Sequence, residues 1–514
     1  MRVAKWVGNP NTMFTPRRLI ALFLSSIVAL QALAQTAPVP EPAGEKINLE
    51  EAIRRALDKN FAIKISGYSS SISQANLLEA WGKFDPVING RYDYSESFSP
   101  ALLDGSGNRP APSFSKSDSA SLSLDGLLPW GMTYQLGTTM GNSRGTFNLM
   151  ADNYDTFAGI SGRQPLLRGG GFGAALASIR IAQVNRNISQ WAFRQNVIFT
   201  ITSVISAYHN LNLANANLVS AQNSRKLALQ LVEENRKRFS VGAMSEYDVT
   251  FAESRAASRD EVILIAENQV RQAENALKQL IMDDRTPDLL NLHFAIEPPP
   301  PSPIVMVEPA VDFRTALEKR PDYQQVKLGL QRSSINTRLQ RNQALPRVDL
   351  VGSYGYNGYD TDLGVSRQQL KDEDYRAYSW GVVVSVPLTF TSERGRYRAA
   401  KLAERQAETD LARTEQNIVV AVGNAANQIE TAQKRVQTTR RARELAQYTL
   451  DAETKRLRAG TSTSFQVANQ QELFSSAELA EARARADYAV ALAVYDRELG
   501  LTLEKLNITV EPPK

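Results

Sequence analysis

Two stretches of the chain, Gly173 to about Phe239 and Arg394 to about Leu457, contain no proline and carry apolar residues at helical spacing. In the first, Ile181, Val184, Ile188, Trp191, Ile198, Ile201 and Ile205 follow in steps of three, four or seven, a seam at coiled-coil spacing. At a rise of about 1.5 Å per residue, each stretch makes a helix on the order of 100 Å long, several times the usual length. Such helices need partners along their whole length, so the fold must be organised around them. A solvated fibrous coiled coil would meet that need as well, but it leaves the alternating segments described below unexplained.

The two stretches are copies within a longer repeat. Ala56-Leu57 and Pro86 lie over Ala316-Leu317 and Pro346 at a shift of 260 residues. Gly159 and Pro165-Leu166 lie over Gly381 and Pro387-Leu388 at a shift of 222. Lys237-Arg238-Phe239-Ser240-Val241-Gly242 lies over Lys455-Arg456-Leu457-Arg458-Ala459-Gly460 at 218, with Val249 over Val467. The falling shifts place longer insertions in the first half. Glu297 to Pro303, rich in proline, reads as an extended linker and sets the boundary near residue 300. Residues 35–300 and 301–514 are thus expected to be two structural repeats, each reading helix, strands, very long helix, turn, helix.

The strand candidates alternate. Ile88, Gly90, Tyr92 and Tyr94 face one way while Asn89, Arg91, Asp93 and Ser95 face the other. Val348, Leu350, Gly352, Tyr354 and Tyr356 repeat the pattern, and Trp380, Val382, Val384, Val386 and Leu388 continue it. A soluble antiparallel sheet and a lipid-facing barrel wall both give such alternation.

The N-terminus separates them. Arg2, Lys5, Arg17 and Arg18 precede the apolar run Leu19 to Leu30, and Ala32, Leu33 and Ala34 follow, which is the order of a secretory signal peptide over residues 1–34, cleaved after Ala34. A run this short cannot anchor a helix in a hydrocarbon core that needs roughly 20 residues. Removing those four cations takes the formal net charge from +5 to +1, so the basic balance implies no nucleic-acid partner. After residue 34 no stretch approaches the roughly 18 consecutive apolar residues of a spanning helix, so any membrane span must be built from strands.

The residues that carry most enzymes' chemistry are missing or misplaced. The chain has no cysteine, and its two histidines, His209 and His293, lack zinc-like spacing. The run Arg168-Gly169-Gly170-Gly171-Phe172-Gly173 resembles a dinucleotide loop, yet no acidic residue occurs between Asp155 and Glu233 to hold a ribose. It reads as a strand-to-helix corner. Asp372, Glu373 and Asp374 lack the glycine-punctuated spacing of a calcium loop and read as a solvated loop between strands. No nucleophile elbow is present, so no enzymatic activity, metal or cofactor is expected.

The run Arg238-Phe239-Ser240-Val241-Gly242-Ala243-Met244-Ser245-Glu246-Tyr247-Asp248-Val249 and its counterpart from Arg456 to Val467 resemble the TolC-like outer-membrane efflux family, and the resemblance covers nearly all of residues 46 to 505. It implies a mixed α and β fold. Three protomers would assemble a transmembrane antiparallel β-barrel, in contact with outer-membrane lipid, continuous with a long coiled-coil-like α-helical barrel across the periplasm. Each protomer would be an internal tandem repeat, with the linker and the tail from about Asn507 in an equatorial belt. The implied function is the outer-membrane channel of a tripartite efflux or type I secretion system, working with a periplasmic adaptor and an inner-membrane transporter. The tip turns would dock the adaptor through Arg238, Phe239, Val241, Gly242, Ser245 and Asp248, and through Arg456, Leu457, Ala459, Gly460 and Thr463, with Ser245 and Thr463 capping the returning helices.

Two departures from the family pattern stand out. Ala120, Leu122 and Leu124, then Met132, Tyr134, Leu136 and Met140, form an additional alternating hairpin around Leu128-Pro129-Trp130-Gly131, giving six strand candidates where familiar members contribute four. Either the barrel is wider or the hairpin lies outside the wall. At the periplasmic entrance, where familiar members place aspartates, this chain has Gln466 and Asn469. The competing reading is a non-conducting, periplasm-spanning coiled-coil scaffold or adhesin-like envelope protein; an envelope hydrolase fails on the missing site.

Overall fold

The computed structural model describes residues 44–511 apart from 101–104, 109, 110, 299, 301, 305 and 307, so the expected signal peptide and the last three residues lie outside it. The first half runs β1 (Glu45–Ile47), α1 (Leu49–Lys59), α2 (Phe61–Gly82), β2 (Val87–Ser99), β3 (Ser113–Leu127), β4 (Thr133–Gly145), β5 (Asn153–Pro165), α3 (Gly171–Ala175), α4 (Ala177–Ser240), α5 (Glu246–Ile281) and β6 (Phe294–Ile296). The second runs α6 (Pro309–Lys319), α7 (Pro321–Gln343), β7 (Arg347–Asp360), α8 (Leu363–Lys371), β8 (Tyr375–Ser385), α9 (Thr391–Arg458), α10 (Ser464–Leu499) and α11 (Thr502–Lys505). No described helix is long and apolar enough to cross a membrane.

Helix starts repeat between halves with different chemistry. Asn60 accepts from the Ala62 amide and caps α2, while its own amide donates to the Leu280 carbonyl. At the matching place Arg320 cannot cap. Pro321 opens α7 instead, with its fixed φ and no amide to satisfy. Arg320 then pairs with Asp322 and with Glu498 near the end of α10.

The long helices span 64 residues in α4 and 68 in α9, about 100 Å each. Toward the sheet the helices lie side by side in the order α2, α4, α7, α9; toward the far end the order is α5, α4, α10, α9. The largest core cluster wraps the middle of α4: Val197, Ile201, Val204, Tyr208 and Leu211 pack against Ile53, Leu277 and Ile281. Ile508 and Val510 of the tail return to the same cluster. β1 and β6 pair in parallel across it.

The other six strands form one antiparallel sheet in the order β2-β3-β4-β5-β7-β8. The additional hairpin is therefore part of this sheet, paired over thirteen residue positions with β2 on one side. β8 stops at Ser385, short of the expected Val386 and Leu388, because Pro387 cannot donate to a ladder. Asp372, Glu373 and Asp374 follow α8, which the alternation pattern missed; Thr156 Oγ1 lies 2.8 Å from Ser366 Oγ and holds that helix to the sheet.

Tyr208 ties the belt together: its hydroxyl donates to the Glu297 carbonyl at 2.6 Å, with the Ile47 carbonyl at 3.3 Å. Burial pushes the phenol up to about 12, so it remains a donor at any ordinary pH. Tyr208→Phe should cost about 1 kcal/mol. Limited proteolysis should then cleave around Pro298 faster, while the helical circular dichroism stays the same.

Candidate functional site

Two places concentrate solvent-facing features that packing alone does not require: the hairpin ends of the long helices and the two faces of the sheet.

At the first tip α4 ends at Ser240, and Gly242 takes φ +76°, a left-handed conformation that residues with a side chain adopt poorly. The amide of Gly242 donates to the Phe239 carbonyl and that of Ala243 to the Arg238 carbonyl, both at 2.9 Å. Ser245 Oγ accepts from the Asp248 amide at 3.3 Å, and the Asp248 carboxylate accepts from the Ser245 amide, closing a capping box. The second tip reproduces the geometry. Gly460 also has φ +76°, the amides of Gly460 and Thr461 donate to Leu457 and Arg456, and Thr463 Oγ1 accepts from the Gln466 amide at 3.3 Å. Gln466 thus occupies the capping place that Asp248 holds in the first tip.

The tips are joined side by side. Arg238 pairs with Glu234 and donates across to the Leu457 carbonyl at 2.8 Å. Asn235, fully buried, donates to the Asp248 carbonyl at 3.1 Å and accepts from Ser464 Oγ at 2.9 Å. Leu457 packs with Leu231, Leu450, Val467 and Ala468 beneath them. The expected docking residues therefore divide. Leu457 and the Arg238 guanidinium hold the tips together, whereas Phe239 and Val241 point outward, Val241 with 77% of its surface exposed. Ser245, Asp248, Arg456, Ala459 and Thr463 are half-buried or exposed at the rim. Gln466 and Asn469 are both exposed, on the side of α10 opposite the buried Val467 and Ala468.

Sequence reasoning missed a line of side chains next to them. Tyr247, Phe251, Arg255 and Arg259 recur every four residues along α5. Tyr247 stacks on Phe251, Phe251 lies 5.9 Å from Phe465 of α10, and Arg255 covers the Phe251 ring. Arg255 and Arg259 then both donate to Glu472 at 3.1 Å. The four-residue spacing was legible; that it meets Glu472 depends on the packing of α4 between them.

The sheet has two unlike faces. One row running straight across all six strands reads Ile88, Leu124, Leu136, Ile160, Tyr354, Tyr378. The row one residue away on the opposite face reads Asn89, Ser123, Gly137, Gly159, Gly355, Ala377. At the helix end of the sheet, the glycine run makes the corner. Gly169 and Gly171 have φ near +80°, the Gly169 amide donates to Asn342 Oδ1, and the Gly171 amide donates to the Trp130 carbonyl.

The model of the Outer membrane efflux protein family matches residues 128–281 and 313–500. The outer membrane efflux protein BepC of Brucella suis biovar 1 (strain 1330) is 24% identical over 317 residues, which span 60% of this chain and 65% of that protein, slightly under two thirds of its length. Among solved structures, the Campylobacter jejuni CmeC outer membrane channel superposes with a TM-score of 0.65 at 16% identity, covering 88% of this chain and 86% of its own. The outer membrane protein VceC of Vibrio cholerae gives 0.63 at 16% identity, covering 88% and 96%. At these identities the structural likeness is one of fold.

Removing the buried amide that bridges the tips should leave a buried carbonyl and a hydroxyl short of partners. Asn235→Ala is expected to cost about 1–3 kcal/mol locally. Hydrogen exchange should show faster opening of residues 231–248 and 457–468, with protection of the α4 core around Ile201 unchanged.

Proposed function

The chain belongs to the Outer membrane efflux protein family, and from that premise we propose that it is the passive outer-membrane duct of a tripartite efflux or type I secretion assembly, working as a homotrimer. It is an outer-membrane protein with a large helical portion. The observation that carries the proposal is the sheet, apolar on one face and polar on the other, with both edge strands unpaired. Unpaired backbone groups cannot stay in hydrocarbon, and six strands are fewer than the smallest membrane barrels use. An even number of antiparallel strands leaves β8 running opposite to β2, so β8 of one copy can pair with β2 of the next.

The internal repeats support the same assembly. Within the chain, α4 of the first repeat packs against α7 and α10 of the second, and β5 pairs with β7. Carried one step on, α9 would pack against the next copy's α2 and α5, and β8 would pair with its β2. Those faces carry exposed apolar side chains: Ile65, Tyr68 and Ile72 on α2, Leu264 and Ile265 on α5, Val419, Val420 and Tyr448 on α9. Such a head-to-tail contact closes into a ring, and three copies place six repeats, 35–300 and 301–514 in alternation, around one lumen. The tips at Gly242 and Gly460 would dock a periplasmic adaptor, and an inner-membrane transporter would supply the energy.

At the entrance, Gln466 and Asn469 lie three residues apart on one helix face, so three copies would form two rings of amides. Amides close a pore by hydrogen bonding without net charge, so the native entrance should discriminate weakly between ions. Mass measurement in mild detergent should give three chains, and planar bilayers should carry current. A stable monomer, or a trimer that never conducts even with altered tips, would favour a scaffold instead. Replacing Gln466 and Asn469 by aspartate should create cation selectivity and block by multivalent cations; unchanged selectivity with no new block would move the gate elsewhere.

The tip glycines have open space around a would-be Cβ, so Gly242→Val or Gly460→Val strains the backbone alone. Each should weaken adaptor crosslinking and export while folding and membrane insertion persist. Equal crosslinking and equal export in both variants would remove the tips as the docking surface.

A further inference from the structure

The two repeats share their helices evenly but not their strands. Each supplies a helix before its strands and a long helix pair after, yet the first contributes β2, β3, β4 and β5 and the second only β7 and β8. The β3–β4 hairpin joins the sheet without a break: β3 pairs with β2 and β4 over thirteen positions each, and β4 pairs with β5 over eleven. Its outward residues Leu124 and Leu136 continue the apolar row from Ile88 to Ile160.

Its inward face is unlike the rest of the chain. From residue 113 to 123 every polar-face position of β3 is serine: Ser113, Ser115, Ser117, Ser119, Ser121, Ser123. On β4, Gly145 faces Ser115, Ser143 faces Ser117, Gly141 faces Ser119, Thr139 faces Ser121 and Gly137 faces Ser123. Apart from Asp125, which accepts from Asn89 at 2.5 Å, the hairpin presents no charge to that side, and its bulkier residues there, Leu127 and Gln135, sit near the turn. Ala120, Leu122, Leu124, Leu136 and Met140 on one face, with Lys116, Asp118, Asn142 and Arg144 gathered at its end away from the helices, and small hydroxyls and glycines on the other face suit a wall between lipid and a wide aqueous bore.

Strand number sets a barrel's girth. With strands about 4.8 Å apart and tilted about 40°, four strands per copy would give a three-copy wall roughly 75 Å around, and six give roughly 113 Å. The helical part presents four helices per copy at any level. Twelve helices spaced about 9–10 Å apart make a ring on the order of 110 Å around. The hairpin would thus add roughly half to the girth of the wall.

We propose that the β3–β4 hairpin is a bore-setting segment: it brings the closed wall to eighteen strands and lines the added width with neutral hydroxyls. At the outer membrane such a wall admits bulky polar cargo, selected there by size instead of charge. The inference rests on the trimeric duct reading.

The chain's lack of cysteine makes single-cysteine labelling of the full-length protein in membranes a direct test. A charged, membrane-impermeant maleimide should label Ser119→Cys and Ser121→Cys but not Ala120→Cys or Leu122→Cys. Ser353→Cys and Tyr354→Cys on β7 report on the wall independently of the hairpin. If the β7 pair alternates and the hairpin residues do not, the hairpin proposal is overturned and the duct reading stands; if neither alternates, both fall. Polymer-linked maleimides of rising coil width, added from outside to Ser353→Cys, measure the bore. Excising residues 113–145 should lower the widest coil that reaches this site by about a third, from roughly 36 to 24 Å for the backbone diameter. An unchanged limit in an excised protein that still labels with the small maleimide would overturn the bore-setting role.

Discussion

Backbone amides and carbonyls on the free edges of β2 and β8 govern how this chain can exist in a membrane. Inside hydrocarbon each unpaired group costs several kcal/mol, and an edge of eleven to thirteen residues presents many of them. In the proposed duct the apolar row from Ile88 to Tyr378 faces lipid, so that cost cannot be met by water. Closure with further copies of the same sheet, as proposed, would remove it. The direction of each strand, the even strand count and the partition of polar and apolar residues all follow from the same requirement.

Closure at the sheet constrains the helices below it. α9 follows β8 through a short connection, α4 follows β5 through the glycine corner and α3, and both run uninterrupted to a tip, so the strand ends constrain where the long helices start. α4 then serves two sets of neighbours, α2 and α7 near the sheet and α5 and α10 beyond. The changeover coincides with the core around Ile201 and Tyr208, where β1, β6 and the tail pack from outside. There too Glu274 accepts from the Phe294 amide at 2.6 Å and lies 3.5 Å from the buried Lys278. A buried charge pair of this kind contributes little net stability, and its use here is to hold the end of α5 against β6.

What the sequence made legible was what local rules determine. Helix length followed from periodicity and absent prolines, the tips from Gly242 and Gly460 with Ser245 and Thr463 after them, and strand faces from alternation. What it hid depends on distance along the chain. Nothing local says that Ser464 will find Asn235 across 229 residues, or that Glu472 will gather Arg255 and Arg259. The hairpin of β3 and β4 was visible as alternation, but alternation alone could not say whether it lay inside the wall, because register is a property of the partners. α8 was missed because nine residues with Gly364 and Ser366 among them carry too short a period to detect. Arg320 sits where the first repeat has a capping asparagine, and the nearness of Asp322 and Glu498 explains a cation there.

The two tips also show how a repeat can keep its geometry while dividing its chemistry. Both turns use a left-handed glycine and a hydroxyl cap, so their backbones present the same outline. The first turn of α5, however, carries Glu246 and Asp248, whereas the first turn of α10 has no acidic residue. Carboxylates at a helix N-terminus offset the positive end of the macrodipole, and without them that end stays partly positive. In the proposed ring, six tips of nearly one shape would alternate between an acidic and an uncompensated helix start. A partner reading shape alone would meet six similar sites; one reading charge would meet three of each kind. Two different adaptor contacts can therefore be encoded on one repeated turn, with the apolar side chains of Phe239 and Val241, which Leu457 and Ala459 do not match, marking the acidic set.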